Sequence, residues 1–111
     1  MAKVERIVQG DFDMILNQLD EDIMNNALSM NLVDQSDYVN ENMKVAVRVY
    51  DKYFMRNSSR ASLSVTVVDN GVEIYISAIG AGGSGAIFNF SWGAESSLTD
   101  VVENSLMRMG L

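Results

Sequence analysis

Apolar and polar residues alternate along LSVTVVDNGVEIYIS, residues 63–77, on both sides of Asn70-Gly71. Asn-Gly is a strong hairpin signal, because a type I′ turn needs positive φ at both central residues. A two-residue loop there predicts that Val67 faces Ile74, Val65 faces Ile76 and Leu63 faces Ala78 on one side of the sheet. Val68 then faces Glu73, Thr66 faces Tyr75 and Ser64 faces Ser77 on the other. The first set is apolar and the second mostly polar, so the hairpin buries one face and leaves the other open.

A helical period marks two further segments. Phe12, Ile15, Leu16, Leu19 and Ile23 recur on one helical face and predict a helix over about residues 12–25, with Asp11 as its N-cap. Leu98, Val101, Val102, Ser105, Leu106 and Met109 predict a second over about 94–109, closed by Gly110. Weak alternation predicts strands over 3–9 and 28–34, with residues 35–42 as a connection. Residues 43–56 carry Lys44, Arg48, Lys52 and Arg56 at a spacing of four, which suits a helix face. Val45, Val47 and Val49 at period two favour a strand, with a bulge near Asp51 because the segment is long.

A three-residue turn over 57–59 would set Tyr53 against Leu63 and Val49 against Val67 in the core. Tyr50 would then lie beside Thr66, and Lys52 beside Ser64, on the open face; the opposite parity would bury an unpaired lysine. Arg48, Val68 and Glu73 form a further expected row. AIFNF, residues 86–90, reads as a last strand, and Trp92 as an anchor for the helix after it. The expected fold is α+β: an antiparallel sheet of five to six strands, order β-α-β-β-β-β-β-α, with two helices on one face. It resembles a shortened helix-grip fold. A chain of 111 residues makes this one domain, 1–111.

Composition narrows the chemistry. There is no cysteine and no histidine, which removes thiolate sites, the common zinc ligand and the usual general base. The net charge of −7 argues against nucleic-acid binding. No apolar run approaches the roughly 20 residues that span a bilayer, and the charged start is unlike a signal peptide. The expectation is a cytoplasmic protein with no cofactor and no metal. Asp20, Glu21 and Asp22 are adjacent on a helix, so they point apart and read as a solvated face. The serines lack a base to activate them.

Two sets of residues remain as candidates. Gly80, Gly82, Gly83, Ser84 and Gly85 form a glycine-rich loop that could be a plain connection or the lip of an anion site. It lacks the lysine and helix start of a phosphate loop. Arg48, Tyr50, Lys52, Arg60, Thr66 and Tyr75 form the second set. Tyrosines beside arginines suit a homodimer interface, and Tyr50 and Tyr75 beside Lys52 and Arg48 also suit a small acidic ligand. A carrier or sensor would instead hold its ligand between the sheet and the last helix, rimmed by the glycine loop, with Arg48 or Arg60 on the acidic group.

The segments VRVYDKYF (47–54), SRASLSVT (59–66) and SAIGAGGSGAIF (77–88), with GDFD (10–13) and WGAE (92–95), resemble a family of short bacterial proteins of unknown function. Arg48, Tyr50, Tyr53, Arg60, Ser62, Gly82, Gly83, Ser84 and Glu95 carry the likeness, and Gly85 departs from it. The resemblance implies a bacterial cytoplasmic protein and brings no catalytic residues. The functional expectation is a non-enzymatic module that self-associates through the open sheet face, with a small-ligand carrier or sensor as the alternative.

Overall fold

A computed structural model describes residues 2–25, 30–54, 58–82 and 88–111, without the side chains of 54, 59 and 88–97. The elements are β1 (Ala2–Val8), α1 (Phe12–Met24), β2 (Met30–Val39), β3 (Lys44–Phe54), β4 (Ser59–Asp69), β5 (Ile74–Ala81) and α2 (Phe88–Arg108). The strands form one antiparallel sheet in the order β1-β5-β4-β3-β2. Both helices lie on one face of it, making an α+β fold.

The helices form where the apolar period puts them. Asp11 caps α1, its carboxylate accepting from the Met14 amide at 2.8 Å. Phe12, Ile15, Leu19 and Ile23 of α1 are buried, as are Leu98, Val102, Ser105 and Leu106 of α2. At the end of α2, Gly110 adopts φ +82, its amide donates to Met107 O at 3.0 Å and the Leu111 amide donates to Leu106 O at 2.9 Å. These two bonds make a Schellman stop. Residues 88–90 open α2, so the expected strand over 86–90 is not formed there. The helix has begun by Phe88, ahead of the expected start near 94.

Opposite the helices, Val4, Ala46, Tyr50, Ala61, Leu63, Val65, Val67, Ile74, Ile76 and Ala78 complete a single core. A fully buried Val, Leu or Ile contributes roughly 1.5–3 kcal/mol relative to exposure. The inward parity of β4 and β5 is the expected one, but the register is not. Val67 faces Ile76, Val65 faces Ala78 and Thr66 faces Ser77. The turn is centred on Gly71-Val72, one residue beyond the expected centre. Only Gly71 has positive φ, at +90, and Asn70 is not left-handed. Instead the Asn70 side chain accepts from the amides of Val72 and Glu73, both at 2.9 Å. A shift of two residues keeps every side chain on its own face, which is why the faces survive the slip.

In β3 the parity itself is reversed. Phe54 lies opposite Ser59, so an even number of residues joins β3 to β4. Tyr50 therefore faces Leu63 on the helix side, Arg48 faces Val65 and Lys52 faces Ala61. The lysine whose burial was expected to forbid this, Lys52, lies opposite Ala61 and stays half-exposed, and the other inward cations have partners. Arg48 is only 12% exposed and pairs with Asp37 at 2.9 Å, while Lys44 lies over the Phe12 ring at 5.7 Å. Val45, Val47 and Val49 turn to the other face.

Strand β2 runs on through residues 35–39, which were expected to be a connection. Every residue after Met30 is exposed, so this edge strand imposes no apolar alternation. The bulge expected in β3 near Asp51 is not there, since β3 pairs β4 in unbroken register; the irregularity lies in β2, between Leu32 and Asp34 opposite Tyr50 and Val49.

Candidate interaction surface

The face away from the helices, here the outer face, carries three aligned rows across all five strands. Ile7, Tyr75, Val68, Val45 and Tyr38 form the first. Glu5, Ser77, Thr66, Val47 and Ser36 form the second. Lys3, Ile79, Ser64, Val49 and Asp34 form the third. The apolar members stand open to solvent at the edges, with Ile7 64% and Tyr38 58% exposed. Lone exposed apolar residues are ordinary on a protein surface, whereas a continuous stripe marks an interaction site.

The charges of this face lie at its margins. Lys3 pairs with Glu5 at 3.3 Å, and Glu5 also accepts from the Tyr75 hydroxyl. That hydrogen bond, with Lys3 beside it, holds the Glu5 carboxyl below its ordinary range; the same bond raises the Tyr75 phenol, with Lys3 opposing. At the far end, Arg60 pairs with Asp51 at 3.2 Å and lies over the Tyr53 ring at 5.4 Å. Tyr53 is thus on the outer face and 36% exposed, against the expectation of a core position.

The candidate residues divide between the two faces. Thr66, Tyr75 and Arg60 are on the outer face, although Thr66 and Tyr75 occupy neighbouring rows. Arg48, Tyr50 and Lys52 are on the inner face, so Arg48 makes no row with Val68 and Glu73. The glycine-rich loop was expected to start at Gly80, but Gly80 and Ala81 belong to β5, opposite Leu63 and Ser62; Gly82 follows the strand, and Gly83, Ser84 and Gly85 lie outside the described residues. The Trp92 side chain is likewise outside them. The outer-face residues not singled out from the sequence are Ile7, Tyr38, Val45, Val47, Val49 and Ile79. For Val45, Val47 and Val49 the signal is the valine alternation of β3, which does not itself say which face the helices cover; Ile7, Tyr38 and Ile79 carry no comparable pattern.

Of the adjacent acids of α1, Glu21 is exposed as a solvated face requires, whereas Asp20 and Asp22 are half-buried and tied into the fold. Asp20 accepts from the Tyr50 hydroxyl at 2.7 Å. Burial raises the Tyr50 phenol, and the Asp20 carboxylate raises it further. Asp22 accepts from Ser105 Oγ at 2.5 Å and from Gln18 at 3.1 Å, and pairs with Arg108 at 3.3 Å. Burial pushes the Asp22 carboxyl up, but these three donors outweigh it and hold the carboxyl below its ordinary value. Arg6 of β1 reaches Glu103 of α2 at 2.5 Å. These contacts fasten the helices to the inner face and to each other.

The sequence model of a family of unknown function, DUF6054, matches residues 1–110. The chain belongs to DUF6054. Neither a curated protein nor a solved structure matches it. Membership brings a shared fold to this DUF6054 chain and no assigned activity. No described helix is long and apolar enough to cross a membrane. Among the described residues of this DUF6054 chain, no three acids gather as a metal site would need. Its outer face carries one continuous row of apolar and aromatic side chains, Ile7, Tyr75, Val68, Val45 and Tyr38, with Val47, Val49 and Ile79 beside it.

Proposed function

We propose that this chain is a non-enzymatic interaction module that self-associates, as a homodimer, through the outer face of its sheet. The observation that carries the reading is the row of Ile7, Tyr75, Val68, Val45 and Tyr38, with Val47, Val49 and Ile79 beside it. β-branched side chains at alternate positions are suited to packing against a second surface. Five strands about 4.8 Å apart and roughly seven residues long give a face on the order of 500 Å² in projection. Two such faces together reach the roughly 1,000 Å² that specific association requires.

The reading includes the cytoplasmic setting and bacterial source expected from the sequence, and it rests for both on sequence alone. The small-ligand carrier draws less support. Its two candidate anion holders, Arg48 and Arg60, lie on opposite faces and are each paired with a carboxylate.

Light scattering on wild type and Val47→Glu tests the proposal. Wild type should weigh about twice the 12.3 kDa chain at micromolar concentration, and Val47→Glu should be monomeric and folded. A wild type that stays monomeric up to millimolar concentration contradicts it.

A further inference from the structure

Resting on that self-association, we infer its geometry: two copies pack outer face to outer face about a two-fold axis running along β4. Strand β4 is the middle of five. Rotation about an axis along it exchanges β5 with β3 and β1 with β2, so each of the three rows meets itself end for end. Tyr75 then faces Val45 of the second copy, Ser77 faces Val47, and Ile7 faces Tyr38. Small side chains, Ser64 and Thr66, meet their own copies on the axis and permit close approach.

Charge selects this axis over the other in-plane choice. Along β4, Lys3 at one end of the third row comes over Asp34 at the other end of the same row in the second copy. The contact is made twice by symmetry. An axis across the strands through the middle row would set Glu5 over Glu5 and Asp34 over Tyr38. That arrangement juxtaposes like charges and desolvates a carboxylate against an aromatic ring. Aligned sheets cross at about 30°, which displaces residues two strands from the axis by roughly 5 Å, within reach of a lysine side chain.

Shape agrees with charge. A shallow hollow of about 150 Å³ on the outer face is lined by Asp34, Gln35, Ser36, Val47 and Val49. The same rotation brings Ile79 of the second copy, 39% exposed in the free chain, over Val49 and into that hollow.

The test is a charge swap read by dimer dissociation constants from sedimentation equilibrium. Lys3→Glu alone and Asp34→Lys alone should each weaken the dimer by about tenfold or more, because each places like charges together at both edges. The double variant should recover to within about threefold of wild type. Thermal melts of the diluted monomers check that each variant folds. A dimeric wild type with no recovery in the double variant overturns the axis and leaves self-association standing. A monomeric wild type overturns both.

Discussion

The Tyr50 hydroxyl donates to Asp20 Oδ1 at 2.7 Å, joining the third strand to the first helix. Tyr50 is buried among the core side chains, and its polar tip reaches the Asp20 carboxylate. This contact holds β3 in the parity that sends Val45, Val47 and Val49 outward. Tyr50→Phe should therefore lose about 1–2 kcal/mol of stability. Tyr75→Phe, whose bond to Glu5 is exposed on the outer face, should change the dilute monomer by less than about 0.5 kcal/mol. Urea denaturation of the two variants side by side, with unchanged slopes, measures the difference.

Asp22 makes the fold sensitive to acid in a defined direction. Its carboxyl is held below the unfolded value, so the stability it contributes is present above that value, about 3.9. It is lost as pH falls through the lower folded value. Asp22→Asn and Ser105→Ala should both be less stable than wild type at pH 7. The gap between wild type and Asp22→Asn should narrow as pH is taken from about 5 to about 2. Denaturation midpoints across that range provide the measurement.

Gly71 and Gly110 have positive φ for separate reasons, one in a hairpin turn and one at a helix stop. An added Cβ at Gly71 would lie 3.7 Å from the Asn42 carbonyl, an ordinary contact, and at Gly110 it would meet open space. The cost of alanine at either site is thus conformational, about 1 kcal/mol each. The two sites are far apart in the chain and share no contact, so the double variant should lose the sum, as read from thermal melts.

Arg48 and Asp37 are unequally exposed, at 12% and 48%. Removing Asp37 strands a cation that is nearly covered, whereas replacing Arg48 with an apolar chain strands only a solvated carboxylate. Asp37→Ala should cost about 1 kcal/mol or more, and Arg48→Met should be close to neutral. Chemical denaturation of both variants checks the asymmetry.

Much of this fold is legible in the sequence. The periods of α1 and α2, the Asp11 cap, the Gly110 stop and the inward faces of β4 and β5 all follow from residue spacing. The failures have physical causes. Asn70-Gly71 predicts a turn centred on itself, but the Asn70 side chain caps the turn and moves its centre to Gly71-Val72. The valines of β3 predict a core strand because alternation shows only that two faces differ. Which face the helices cover depends on the even connection between Phe54 and Ser59 and on Asp20 and Asp37, distant acids that accept Tyr50 and Arg48. Strand β2 escaped detection past Asp34 because an edge strand exposed on both sides needs no pattern.

The parity of β3 also decides the character of the candidate site. Lys52 and Arg48 were expected on the open face and would have made it cationic; valines stand there in their place. The face is therefore suited less to an acidic ligand than to another apolar surface.

The central claim is that a second copy covers this face. Solvent paramagnetic relaxation of the methyl groups of Val45, Val47, Val49, Val68 and Ile79, measured across protein concentration, tests it on the unmodified chain. The relaxation should fall at these positions as concentration rises, while Met14 and Met107, exposed on the helices, stay unchanged. Outer-face methyls whose relaxation is independent of concentration in a solution that remains monomeric would contradict it.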